Sequence, residues 1–205
     1  MIPLLDVGLH GIPVVSERDV DVLSLIEEED LTVFTFDGLK RRLGLHPETL
    51  SRMLDRLELE GVVKKDSNGY TVTPKLAKLH VQETHRYEPH VPLLQTYLPS
   101  NMQIQHLVAN LRGKWFGLLR WFGISQDIRG VTLKWVTEDG GIQINATIED
   151  STLTIDAKFL HDNNLNRALS ASYQLISYIG KLPSGGHLAS HVGYFGDDNV
   201  FLMPA

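Results

Sequence analysis

Thr49, Ser51, Arg52, Asp55 and Arg56, with Glu48 just ahead of them, are polar side chains of different chemistry interleaved with Leu50, Met53, Leu54 and Leu57. Leucines at i, i+4 and i+7 mark a helix with one buried stripe, which sends the polar set to the opposite face. Hydroxyls on such a face reach phosphates or base edges, and guanidinium forks at this spacing match guanine edges. The chemistry on offer is the reading of a DNA major groove, not the making or breaking of bonds. Lys40, Arg41, Arg42 and His46 before this stretch, and Lys64, Lys65, Ser67 and Asn68 after it, complete the expected DNA-contacting set.

The elements that must position this face are written on either side of it. Ser16 and Asp19 suit a helix start, and Val20, Leu23 and Ile26, beside Val22 and Leu25, give a first buried stripe. Residues 32–36 are β-branched and aromatic and predict a short strand. Asp37 is placed to cap a second helix over 38–43, with Leu39 and Leu43 inward and Gly44 closing it. Pro47 fits the first turn of the third helix, which Gly61 ends. Residues 62–65 and 70–73 then predict a hairpin around the turn-forming stretch 66–69.

These residues resemble the winged-helix transcriptional regulators of bacteria and archaea. The shared pattern is a Gly44-Leu45 turn, then Pro47-Glu48-Thr49-Leu50-Ser51-Arg52-x-Leu54-x-x-Leu57-Glu58-x-x-Gly61, then Gly69-Tyr70-x-Val72-Thr73. The resemblance covers about residues 16–80. It implies a winged helix-turn-helix in which the helix from Pro47 enters the major groove and the hairpin tip lies along the adjacent backbone. This chain departs from the pattern in its small, acidic tip, which leaves Lys64 and Lys65 as the phosphate contacts.

The second half reads differently. Pro89, Pro92 and Pro99 predict a connector over 81–100, followed by helices over 101–111 and 114–122. Val131, Leu133 and Trp135, then Ile142, Ile144, Ala146 and Ile148, then Leu153, Ile155, Ala157 and Phe159 alternate with polar residues around turns at 139–141 and 149–151. That pattern predicts a three-stranded antiparallel meander with one wet face, its apolar face covered by a helix over about 165–179. The expected fold is therefore α+β. A winged helix-turn-helix domain occupies 1–80, a linker 81–100, and an α+β domain over 101–205 makes a dimer or senses a small-molecule effector. Trp115, Trp121, Trp135 and Tyr173 are the candidate effector-binding residues.

Composition narrows the rest. In 205 residues the net charge is −6, which opposes indiscriminate binding to phosphate backbones. Cysteine is absent, removing thiolate metal sites and cysteine nucleophiles. Of the nine histidines, His187 and His191 stand four apart, but Gly185, Gly186 and Gly193 argue against a helix there, and His80, His85 and His90 recur every five, which follows neither a helix nor a strand face, so neither a metal nor another cofactor is expected. No nucleotide motif, nucleophile elbow or paired catalytic acids stand out, and the expectation is not an enzyme. The apolar opening is broken by Pro3, Asp6, His10 and Pro13, and no run reaches the length of a membrane span. The expectation is a cytoplasmic, homodimeric, sequence-specific regulator of transcription bound to double-stranded DNA and to no membrane. The alternative is a winged-helix protein-interaction module of a transcription, replication or repair assembly.

Overall fold

The computed structural model describes residues 19–74 and 90–182. In chain order they form α1 (Val20–Glu28), β1 (Val33–Phe34), α2 (Phe36–Leu43), α3 (Pro47–Leu59), β2 (Val63–Asp66), β3 (Gly69–Val72), β4 (His90–Tyr97), α4 (Ile104–Leu111), β5 (Leu119–Gln126), β6 (Gly130–Thr137), β7 (Ile142–Glu149), β8 (Thr152–Phe159) and α5 (Leu165–Ile179). All eight strands belong to one antiparallel sheet, in the order β2-β3-β1-β5-β6-β7-β8-β4. Among the described residues no helix is long and apolar enough to cross a membrane.

This sheet overturns the expected fold of a winged helix-turn-helix domain beside a separate α+β domain with a three-stranded meander. Strand β1 bonds to β3 on one side and to β5 on the other, Val33 standing opposite both Thr71 and Ile124, so the hairpin and the C-terminal strands are continuous. Two strands were hidden from the sequence pattern. Residues 119–126, expected within and beyond a helix over 114–122, form β5, where a bulge between Trp121 and Gly123 breaks the period-two alternation. Residues 90–97, expected as connector because of their prolines, form β4, which pairs only with β8 at the sheet edge. An edge strand tolerates Pro92 because one side of it needs no ladder donors.

Two hydrophobic clusters flank the sheet. On one face, Leu133, Trp135, Ile144, Ile155 and their neighbours pack with Leu107 and Leu111 of α4 and Ala168, Ala171, Leu175 and Ile179 of α5. The second cluster joins the three N-terminal helices, through Leu23, Ile26, Leu39, Leu50, Leu54 and Leu57, to Phe34, Val63, Tyr70, Phe122 and Val136. Since Trp135 and Val136 are consecutive in β6, the clusters meet its opposite faces. Gly38 permits the close contact between α2 and β5, for a Cβ there would stand 2.6 Å from the Phe122 Cα. Helix α2 also begins earlier than expected. Its cap is Thr35, whose hydroxyl accepts from the Gly38 N–H at 3.1 Å, and not Asp37.

Candidate nucleic-acid interface

Helix α3 starts where the sequence places it, with Pro47 in its first turn and His46 Nδ1 accepting from the Glu48 N–H at 3.4 Å. Gly44, at φ +64°, closes α2 in the left-handed region and turns the chain toward α3. Leu50, Met53, Leu54 and Leu57 are buried, whereas Glu48, Thr49, Arg52, Asp55 and Arg56 are exposed and Ser51 is half-buried. The β2–β3 hairpin beyond it exposes Lys64, Lys65, Ser67 and Asn68. Its tip is held by Asp66, whose carboxylate accepts from the Asn68 N–H at 2.7 Å, while the Lys65 ammonium sits 5.9 Å from the Tyr70 ring.

The expected DNA-contacting set does not stay together. Arg52 lies against Glu48 one turn earlier, at 2.5 Å, both side chains in solvent. Arg56 is committed more firmly, donating to both carboxylate oxygens of buried Asp19 at 3.1 and 2.5 Å. Asp19 stands at the start of α1 but makes no side-chain cap there; Ser16, expected with it at the helix start, lies outside the described residues. Lys40 pairs with Asp37 at 3.0 Å and Arg41 donates to the Asp37 carbonyl at 3.1 Å. Arg42 leaves the set altogether. Its side chain is only 9% exposed, donates to Gln143 Oε1 at 3.0 Å and lies 3.7 Å from Glu29, on the sheet side of α2.

That sheet side holds an arrangement that the sequence reading missed. The face of the meander expected to be wet carries Lys134, Gln143, Asn145 and Lys158, all buried. Glu29, at the end of α1, reaches down to them. Its carboxylate accepts from the Lys134 ammonium at 2.8 Å, the Lys158 ammonium at 2.7 Å and the Gln143 amide at 2.8 Å. Asn145 extends the network to Asp156 at 2.9 Å, and Asp156 meets His90 at 2.7 Å. Burial, the strongest single influence, pushes the Glu29 carboxyl up, but the charges and hydrogen bonds of Lys134 and Lys158 together outweigh it and bring it down to about 2. A cleft of about 690 Å³ opens beside this cluster, with Lys134 and Lys158 in its wall. Both ammonium groups bind Glu29, so the cluster holds the end of α1 on the sheet. Among the described residues no group of three or more histidine or carboxylate side chains is arranged to hold a metal.

The four expected effector residues divide between core and surface. Trp135 and Trp121 are buried, edge to face at 5.3 Å, with Phe116 against Trp135. Trp115 and Tyr173 are exposed and share an open depression along α5. The histidines at 80, 85, 187 and 191 lie outside the described residues. No protein-family model matches this chain, and no curated protein does.

Proposed function

We propose that the protein is a sequence-specific DNA-binding regulator of transcription that places the outward face of α3 in a major groove and the β2–β3 hairpin on the neighbouring backbone. The observation that carries this reading is the division of α3: four apolar side chains are buried against α1 and the sheet, while Thr49, Arg52 and Asp55 face solvent beyond a tight turn from α2. The resemblance of residues 47–61 to the groove-reading helix of bacterial and archaeal regulators supports it. The charge pairs refine it. An exposed pair four residues apart contributes only about 0.3–0.5 kcal/mol, so Arg52 exchanges Glu48 for a guanine edge at little cost. Arg56 holds Asp19 and is left out of the reading set. Glu48, Asp55, Glu58 and Glu60 keep α3 from attracting phosphate without regard to sequence.

A palindromic site needs two copies of α3, so a homodimer is part of the reading. Selection of duplexes from a random pool with the full chain should enrich one sequence. Arg52→Ala should then lower affinity for it by about 1–3 kcal/mol. Lys64→Ala and Lys65→Ala should weaken all duplexes alike and flatten the salt slope by about 0.9 per lost phosphate contact. A pool that enriches nothing overturns the proposal. One observation favours the runner-up, a protein-interaction module: Leu59, at the end of α3, is 86% exposed between Glu58 and Glu60, and that outcome would direct attention there.

A further inference from the structure

The chain after α4 turns through Gly113, at φ +75°, into a short loop carrying Arg112, Lys114 and Trp115. The loop is fixed from below. Buried Trp135 donates its indole N–H to the Lys114 carbonyl at 2.9 Å, and the Lys114 N–H donates to the Leu111 carbonyl at 3.1 Å. What this fixed backbone presents is two groups without a hydrogen-bond partner among the described residues: the exposed Arg112 guanidinium and the indole of Trp115, 63% exposed. Arg120 stacks on the Trp115 ring at 4.7 Å and is itself paired with Glu138 at 2.9 Å.

Across from the loop stand Arg41 of α2 and Asn68 of the hairpin turn, and the space between is a groove of about 420 Å³ with Trp121 in its lining. Asp37, the acid in that lining, is paired with Lys40. Arg41 spends one donor on the Asp37 carbonyl and its guanidinium has others. In a chain of net charge −6 this corner thus sets Arg41 and Arg112 beside a flat aromatic. A concave groove of this volume is too narrow for a duplex, but suits a single nucleotide. Paired arginines for a phosphate beside an indole for a base is the chemistry with which proteins hold single strands.

We infer that the groove between α2, the β2–β3 turn and the loop after α4 binds an unpaired nucleotide of single-stranded nucleic acid, its phosphate on Arg41 and Arg112 and its base against Trp115. The inference does not rest on duplex reading by α3, and Arg52→Ala leaves it untouched.

Fluorescence titration of the full chain tests it, because Trp121 and Trp135 are buried and a quencher in solution reads Trp115. Oligothymidylate of about 12 nucleotides should quench the emission of the parent, and, read by the anisotropy of a fluorescein-labelled oligothymidylate, Trp115→Ala should weaken binding roughly 5- to 150-fold, with Trp115→Phe recovering part of the loss. Arg112→Ala should keep the quenching at saturation and lower the salt slope by about 0.7. Both side chains are exposed, and far-ultraviolet circular dichroism confirms that each variant is folded. Oligouridylate distinguishes the source: equal binding assigns either sugar, weaker binding assigns DNA. If inorganic polyphosphate displaces the oligonucleotide without loss on an equal phosphate basis, and Trp115→Ala binds oligothymidylate as the parent does, no base sits on the indole and the inference is wrong.

Discussion

On one face of β6, β7 and β8, Leu133, Trp135, Ile144, Ala146, Ile155 and Ala157 are buried with α5; on the other, Lys134, Gln143, Asn145 and Lys158 are buried beneath the end of α1. The apolar face is held by a non-directional force that grows with area and tolerates changes of shape. The polar face is directional. Every group there needs its partner at hydrogen-bond distance, the net gain from assembling charges in the interior is small, and removing one member strands the others. Glu29 thus contributes less to total stability than to fixing where α1 lies on the sheet, since its two carboxylate oxygens meet Lys134 and Lys158 at once.

The comparison breaks most visibly when Glu29 is removed. Glu29→Gln leaves buried Lys134 without its carboxylate and Lys158 with only Glu28 at 3.8 Å, and should cost about 3–5 kcal/mol, measured by denaturant unfolding at neutral pH. Replacing the three ionised groups at the centre of the polar face, Glu29→Leu with Lys134→Met and Lys158→Met, should restore part of that loss, because the two buried ammonium charges go with their carboxylate, while Arg42 and Gln143 still lose a partner. On the opposite face Ile144→Ala should cost about 2–5 kcal/mol, and no second substitution in a charged partner rescues it. A triple variant as unstable as Glu29→Gln sinks the account of the polar face.

Acid separates the faces next. Glu29 titrates near 4.5 when unconstrained and at about 2 in the folded chain. Its stabilising effect is therefore complete above about pH 4.5 and is lost progressively as pH falls from there through about 2, a change of about 3 kcal/mol. Asp139 adds to the loss. The Arg167 guanidinium, with the Thr137 hydroxyl, holds its carboxyl well below the usual range. Ile144→Ala should run parallel to the parent in a plot of stability against pH, whereas the triple variant should be flatter between those pH values. Parallel curves for all three would show that Glu29 titrates alike in the folded and unfolded chain.

What was legible in the sequence was whatever depends on neighbours along the chain. The bounds of α3 follow from Pro47, from the leucine spacing and from Gly61; strands β6 to β8 follow from their alternation. What was not legible depends on a partner far away. Lys134 and Lys158 alternate with apolar residues as a solvated face does, and only Glu29, more than a hundred positions from either, makes them interior. The bulge in β5 and the proline in β4 disguised two strands, and the pairing of β1 with β5, which makes one sheet of two expected units, rests on only two residues. Arg42, expected to face out, is nearly buried, and the partner of Arg56 was hidden, for the same reason. A helix wheel tells inward from outward, but gives no sign that a half-outward guanidinium has a buried carboxylate within reach.

Arg56 provides the mildest version of the rule that Glu29 obeys. Asp19 is buried, its partner is nearly half exposed, and the hydrogen bonds from Arg56 to Asp19 also raise the guanidinium's own proton affinity. Solvent screens such a pair, so the coupling between the two in a double-mutant cycle of Asp19→Asn and Arg56→Ala should be about 1 kcal/mol, well below the Glu29 effect. The functional consequence follows directly. Arg56→Ala should lose stability and keep its affinity for a selected duplex, while Arg52→Ala, which breaks only an exposed pair, should keep stability within about 0.5 kcal/mol and lose affinity. Thermal unfolding and duplex titration of the two variants at one salt concentration give four numbers that must fall in this crossed pattern. If Arg56→Ala weakens duplex binding as much as Arg52→Ala does, its guanidinium leaves Asp19 to reach the DNA, and the pair becomes a contact that binding opens.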